Sequence, residues 1–294
     1  MSAQSIMRAA KRGLMAYPFF PAINAPFRAF DTWRRYVGPV VRNWIVWIFT
    51  SRADSNFTYA LTDRCKINLA ASLASLLGRD YAEIAGYFRE IESDEDFNSH
   101  IRRLWLKHPE RYRTDEAPLI GRRMVWYAIA RATKPKIIVE TGVDQGMGAV
   151  VLCAAISRNA AEGNPGRYYG TDINRDAGYF LQHPYLNYGK VLCGDSIKLL
   201  EQLSETVDLF INDSDHSQIY EQAEFELIKS KISPTAILLG DNSHVSPKLA
   251  EFSVREGRQF VFLSEEPDSH WYRGAGIGIS LPPVNQIADL VVIE

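Results

Sequence analysis

The sequence predicts an α/β protein: a doubly wound, seven-stranded, mostly parallel sheet preceded by an N-terminal helical cap. Three observations point there. Beyond Pro135, seven short apolar runs alternate with helical stretches: Ile137–Glu140, Tyr168–Asp172, Val191–Cys193, Val207–Ile211, Ala236–Leu239, Gln259–Leu263 and Gly276–Leu281. The first run enters a glycine loop with Gly142, Gly146 and Gly148. The fourth and fifth end in polar clusters, Asp213-Ser214-Asp215-His216 and Asp241-Asn242. No long helix separates the last two runs, a pattern that brings an antiparallel strand into a parallel sheet.

The chain divides into three expected parts. Residues 1–55 form a basic, aromatic segment with eight Lys/Arg against Asp31 and Asp54, a charge of +6, leaving -8 for the remainder. Val37 to Thr50 is apolar but too short to span a bilayer, and Arg42 interrupts it. Trp33, Trp44 and Trp47 among arginines fit an interfacial helix, so peripheral membrane contact through residues 1–50 is one expectation. Docking on the main domain or on a second subunit, as in a homodimer, is the other and is favoured.

Residues 56–134 read as helices forming a cap. Thr62 or Asp63 starts a helix through Ile67, Leu69, Leu73 and Leu76 that stops at Gly78. Asp80 opens the next, with Ile84, Tyr87, Phe88 and Ile91 on one face. Ser93 with Asp96 reads as a variant capping box before Phe97, Ile101 and Leu104. Arg122 to Thr133 is a fourth helix, ended by Lys134-Pro135. Ser55 to Tyr59 is expected to contribute to a lid.

Residues 135–294 form the α/β domain. Its composition is that of a soluble globular protein, and the net charge of -2 gives no reason to propose a nucleic-acid partner. Cys65, Cys153 and Cys193 lack zinc spacing and read as reduced thiols. With no signal-peptide pattern, the expected location is cytoplasmic.

The acids mark a nucleotide-binding edge. In an open parallel sheet, ligands bind beyond the carboxyl ends of the strands. Glycine lets the loop at 142–148 turn sharply before a helix that starts at Met147 or Gly148. Asp172 ends the second strand, where it can accept from ribose hydroxyls, and Asp195 follows the third, facing an adenine amino group. Each acid alone is more often a helix cap or turn residue; an acid after three successive strands, with the glycine loop, favours an adenosine-bearing cofactor. Asp213, Asp241 and Asn242 supply hard oxygens for a magnesium-like cation, with His216 beside them as a base. The loop also fits short-chain dehydrogenases, but that family needs a Tyr followed four positions later by Lys, and this sequence has none.

From Ile137 to Ser280 the sequence resembles class I S-adenosylmethionine (SAM)-dependent methyltransferases with a Rossmann-like fold. The resemblance is to the small-molecule O-methyltransferases related to catechol, caffeoyl-CoA and macrolide-sugar enzymes. It implies that Glu140 and the loop Gly142 to Gly148 flank the methionine part of SAM, with Asp172 at the ribose. It places Asp195-Ser196 at the adenine and Asp213 at the cofactor's edge. Asp213, Asp241 and Asn242 correspond to its metal ligands, and His216 to a base that is lysine in some relatives. The chain departs from the family at Ser233-Pro234-Thr235, where Gly-Gly is usual, and at Asn212, which leaves Asp213 and Asp215 both open as ligand.

The expected activity is methyl transfer from SAM to a hydroxyl of a small metabolite, aided by a divalent cation, Mg2+ first, and a histidine base. Metal-independent O- or N-methyl transfer is the second reading. A non-catalytic SAM- or nucleotide-binding protein is the third. His244 is a second base candidate, and His270 and Trp271 are candidates for the acceptor pocket. The acceptor itself stays open among sugar, phenol, polyketide and peptide hydroxyls.

Overall fold

The computed structural model describes residues 17–53, 58–111 and 119–283, with 13, 15 and 117 singly. It forms two compact units. The smaller comprises the chain up to Ser51 together with Ser269–Tyr272. Its helices are α1 (Phe20–Ile23), α2 (Ala25–Thr32) and α3 (Gly38–Thr50), with a π-helical turn at Trp33–Val37. Pro26 and Pro39 stand in the first turns of α2 and α3, where a missing N–H costs nothing. Ile23, Phe27 and Phe30 are all exposed, with Arg28, Asp31 and Arg35 nearby in the chain. Trp47 packs edge-on against Trp271, ring centroids 5.4 Å apart. Among the described residues no helix is long and apolar enough to cross a membrane.

In the larger unit, four helices precede the sheet: α4 (Asp63–Leu77), α5 (Tyr81–Glu92), α6 (Glu95–Trp105) and α7 (Arg123–Thr133). Thr62 caps α4 by accepting from the Cys65 N–H at 3.2 Å, and Gly78 ends it in the left-handed region. Asp80 caps α5. The cap of α6 is Asp94, which accepts from Phe97 N at 3.0 Å. The expected Ser93–Asp96 box is not used, because the Ser93 hydroxyl turns back to the Arg89 carbonyl at 2.7 Å. The buried Arg131 guanidinium joins three helices, bonding Glu90 of α5, Asn159 of the first sheet-covering helix, α8 (Met147–Ala161), and Glu162 just past its end. Of the lid segment, residues 55–57 lie outside the described residues, and Thr58 and Tyr59 are buried.

The seven strands are β1 (Ile137–Thr141), β2 (Arg167–Asp172), β3 (Gly189–Cys193), β4 (Val207–Asn212), β5 (Ile232–Gly240), β6 (Gln259–Leu263) and β7 (Ile277–Leu281). They lie in the order β3-β2-β1-β4-β5-β7-β6. Only the pairs of β7, with β5 and with β6, are antiparallel. Between the strands run α8, α9 (Ser196–Gln202), α10 (Gln218–Ile228) and α11 (Lys248–Arg255). Val139, Phe210 and Leu238 from the strands meet Leu200, Phe225, Ile228, Leu249 and Phe252 from α9 to α11 in one apolar core. The reversal of strand order falls between β1 and β4, the position at which doubly wound sheets open a crevice.

Candidate active site

The backbone ladder continues one step past the strand ends. Gly194 N donates to Asp172 O at 2.8 Å, Gly142 N to Thr171 O at 2.9 Å, Asp213 N to Thr141 O at 2.9 Å and Asp241 N to Asn212 O at 3.0 Å. The residues singled out in the sequence therefore form one row along the carboxyl edge, from β3 to β5.

The glycines serve chain-to-chain approach. At Gly142, with φ +81°, a Cβ would lie 2.0 Å from the Asp213 carbonyl oxygen. At Gly146 it would meet the backbone of Gly178, and at Gly148 the Glu140 carboxylate and Trp126. Asp172 holds this loop: Oδ2 accepts from Val143 N (3.0 Å) and Asp144 N (2.8 Å), and Oδ1 from Asn174 N (2.7 Å). Glu140 is fully buried and accepts from the Tyr168 hydroxyl at 2.5 Å. Burial, only partly opposed by the Tyr168 hydrogen bond and the Arg123 charge, pushes its pKa up to about 8.

Asp195 acts as the cap of α9, accepting from Lys198 N at 3.1 Å, and its other oxygen accepts from the Tyr220 hydroxyl at 3.0 Å. Ser196 points inward to Glu224. Glu224, which sequence reasoning missed, is fully buried and clamps the edge together. Its carboxylate accepts from Thr141 (3.0 Å), Ser214 (2.8 Å), Ser196 and Asn212. Burial raises its pKa against these hydrogen bonds. The available signal was Glu221-x-x-Glu224, two acids about one turn apart on a helix that covers the sheet.

Asp213 and Asp241 face each other across β4 and β5. Arg122, also missed from the sequence, binds Asp241 fork to fork, Nε to Oδ1 and Nη2 to Oδ2. Its Nη1 donates to the Tyr59 hydroxyl at 3.0 Å and reaches Glu265 Oε1 at 3.5 Å. Tyr59 donates to Glu265 at 2.9 Å. Burial would raise the pKa of Asp241, but Arg122 more than reverses that and holds it below the usual carboxylate value. Half-buried Asp213 is shifted the other way, upward, by burial and by the Asp241 charge. Asp215 is exposed and accepts from Ser217 N at 2.6 Å, so Asp213 is the acid that belongs to the row.

These contacts bear on the expected metal set of Asp213, Asp241 and Asn242. A divalent cation needs carboxylate oxygens free to coordinate. Here a guanidinium takes both oxygens of Asp241, with Nε on Oδ1 and Nη2 on Oδ2. The donor set as arranged does not fit a divalent cation. Among the described residues no group of three or more His, Cys, Asp or Glu is disposed to hold one. His216 is exposed on the turn between β4 and α10, and His244 is exposed after β5. His270 and Trp271 belong to the smaller unit, against Trp47.

An adenosine-bearing ligand fares better at the same edge. Thr171 Oγ1, Asn212 Oδ1, Asn242 Nδ2 and Ser243 Oγ are buried there without hydrogen-bond partners. Buried polar atoms of this kind ask for a ligand or water.

Residues 139–243 match the model of a family described as a methyltransferase domain. No curated protein matches the sequence. Among solved structures the chain is similar to the O-methyltransferase TomG of Streptomyces achromogenes, involved in tomaymycin synthesis and solved with SAM. Identity is 15%, covering 65% of this chain and 91% of that one, with a TM-score of 0.48. A methyltransferase from Geobacter sulfurreducens gives 17% identity, 63% and 90% coverage and a TM-score of 0.48. The methyltransferase PaMTH1 of Podospora anserina, solved with S-adenosylhomocysteine (SAH), gives 15%, 67% and 93%, and 0.47. The sheet, with its antiparallel seventh strand between β5 and β6, is Rossmann-like.

Proposed function

From the methyltransferase domain over residues 139–243, we propose that the protein transfers a methyl group from SAM to a hydroxyl of a small metabolite. The observation that carries this reading is the row of Asp172, the Gly142–Gly148 loop, Asp213 and Asp241 along one carboxyl edge, beside buried polar atoms that lack partners. SAM, when bound, supplies a methyl group on a sulfonium, open to displacement by an oxygen nucleophile. Glu140 and the loop flank its methionine part, Asp172 takes the ribose, and Asp195 with Ser196 borders the adenine. The Asp172 carboxylate, already accepting three backbone N–H bonds, is preset in position for a further donor.

A hydroxyl attacks poorly until its proton is removed. His216, exposed on the turn after β4, is the proposed proton acceptor. Replacing His216 with Ala is expected to lower turnover by about two orders of magnitude with SAM affinity nearly unchanged. Unchanged turnover removes it from the mechanism.

For residues 1–50 we propose a peripheral contact with an anionic lipid surface. The exposed Ile23, Phe27 and Phe30 among Arg28, Arg34 and Arg35, with +6 over residues 1–55, support it. Sedimentation with phosphatidylserine vesicles, weakened by Phe27→Glu, is the expected result. Equal recovery with and without vesicles contradicts it.

A further inference from the structure

We propose that Arg122 is the resident cation of the acceptor end of this site: held by Asp241, Tyr59 and Glu265, its guanidinium occupies the place a divalent metal would need and makes the site metal-free. The inference rests on the methyl-transfer reading for its catalytic meaning, but its claim about cation binding stands on geometry alone.

Three observations carry it. The first is occupation of the ligand. Arg122 engages both Asp241 oxygens, so a cation at that carboxylate would have to share it with, or displace, a fork-to-fork guanidinium in a pair whose side chains are 15% and 4% exposed. The second is bracing. Glu265, on the far side of Arg122, is itself fixed by Ala275 N at 2.7 Å, Gly276 N at 3.3 Å and the Tyr59 hydroxyl at 2.9 Å. The guanidinium therefore has no vacant place to swing into among these partners. The third is charge. The Arg122 guanidinium already lies against Asp241 and, at 3.5 Å, against Glu265, so much of the negative charge that would draw a doubly charged ion is offset in place.

The same arrangement has a use. Of the five N–H donors on a guanidinium, Nε, both Nη1 hydrogens and one Nη2 hydrogen are engaged, which leaves one on Nη2. Arg122 can therefore act as a positioning residue. It supplies a permanent positive charge and a directed donor beside an oxygen that gains negative charge as its proton leaves, without coordinating it.

The test is a manganese titration followed by electron paramagnetic resonance on chelator-stripped protein, which needs neither SAM nor an acceptor. Wild-type protein is expected to leave the free Mn2+ signal undiminished into the millimolar range. Arg122→Gln, which removes the charge but keeps an amide near the same place, frees Asp241 and is expected to bind Mn2+ at least about tenfold more tightly than wild type. Stoichiometric Mn2+ binding by wild type that is lost in Asp241→Asn overturns the proposal. A folded Arg122→Gln protein with no gain in Mn2+ affinity overturns it too. Should that variant fail to fold, the wild-type titration decides alone. Because these readings involve no methyl transfer, an inactive enzyme would count against the proposed function and leave the cation result standing.

Discussion

The Arg122 guanidinium and the Asp241 carboxylate meet through two parallel N–H···O bonds, although 119 residues separate them in the chain. The pair ties the start of α7 to the end of β5 and so joins the helices before the sheet to the carboxyl edge. Both side chains are largely withdrawn from water. Removing one partner of such a pair leaves a buried charge, at a cost of about 3–5 kcal/mol. Arg122→Met is expected to lose stability on that scale in urea unfolding. The double variant with Asp241→Asn should lose clearly less than the sum of the two singles. A loss below about 1 kcal/mol for Arg122→Met would mean that the pair is not held as described.

Glu140 yields a pH prediction with an unusual sign. Its pKa rises from 4.5 to about 8 on folding, chiefly by burial. Between those values the folded state binds the extra proton, so its stabilising effect is full below pH 4.5 and is lost as pH rises through 8. The shift corresponds to stability on the order of 5 kcal/mol. Glu140→Gln mimics the protonated form, so it should flatten the fall in stability between pH 5 and 8, roughly the window of the shift. Thermal unfolding of the two proteins at several pH values reads this directly. Parallel curves would contradict it.

At Gly142 the backbone is left-handed and a side chain would collide with the carbonyl of Asp213. That carbonyl is main chain in the row itself, so it cannot move aside without shifting the acid. Gly142→Ala is expected to destabilise the protein by about 2 kcal/mol or more and to abolish SAM binding. Gly163 also has a positive φ but open space around it, so Gly163→Ala should be milder and keep SAM binding. Equal effects of the two would show that backbone strain alone matters.

Which parts of this architecture could be read from the chain follows from the range of the interactions. The strands β1, β4 and β5 are buried on both faces, and their continuous apolar runs were legible to within a residue at β1 and β4. β5 begins at Ile232, four residues before its apolar run, because Ser233 to Thr235 carry no hydrophobic signal. Thr62 and Gly78 were legible as helix ends because caps act within a few residues. Asp94 was not, since Ser93 beside it offers an equally good capping side chain that folding sends elsewhere. The acids and glycines of the edge were visible as local motifs. Arg122, Tyr59 and Glu265 were not, because each finds its partners across 63 to 206 residues of chain. Such contacts leave no periodic trace. Glu224 lay within reach of sequence reasoning, but an acid on a helix reads as solvated until the helix is known to turn it inward.

The most direct measurement of the central claim is calorimetric titration of the purified protein with SAM and with SAH, with NADH as control. Binding of both sulfur ligands in the micromolar range, silence with NADH, and loss of the SAM signal in Asp172→Asn are expected. Binding of NADH without SAM would contradict the methyltransferase reading. Silence with all three would leave the acids of the carboxyl edge as caps and braces of the fold alone.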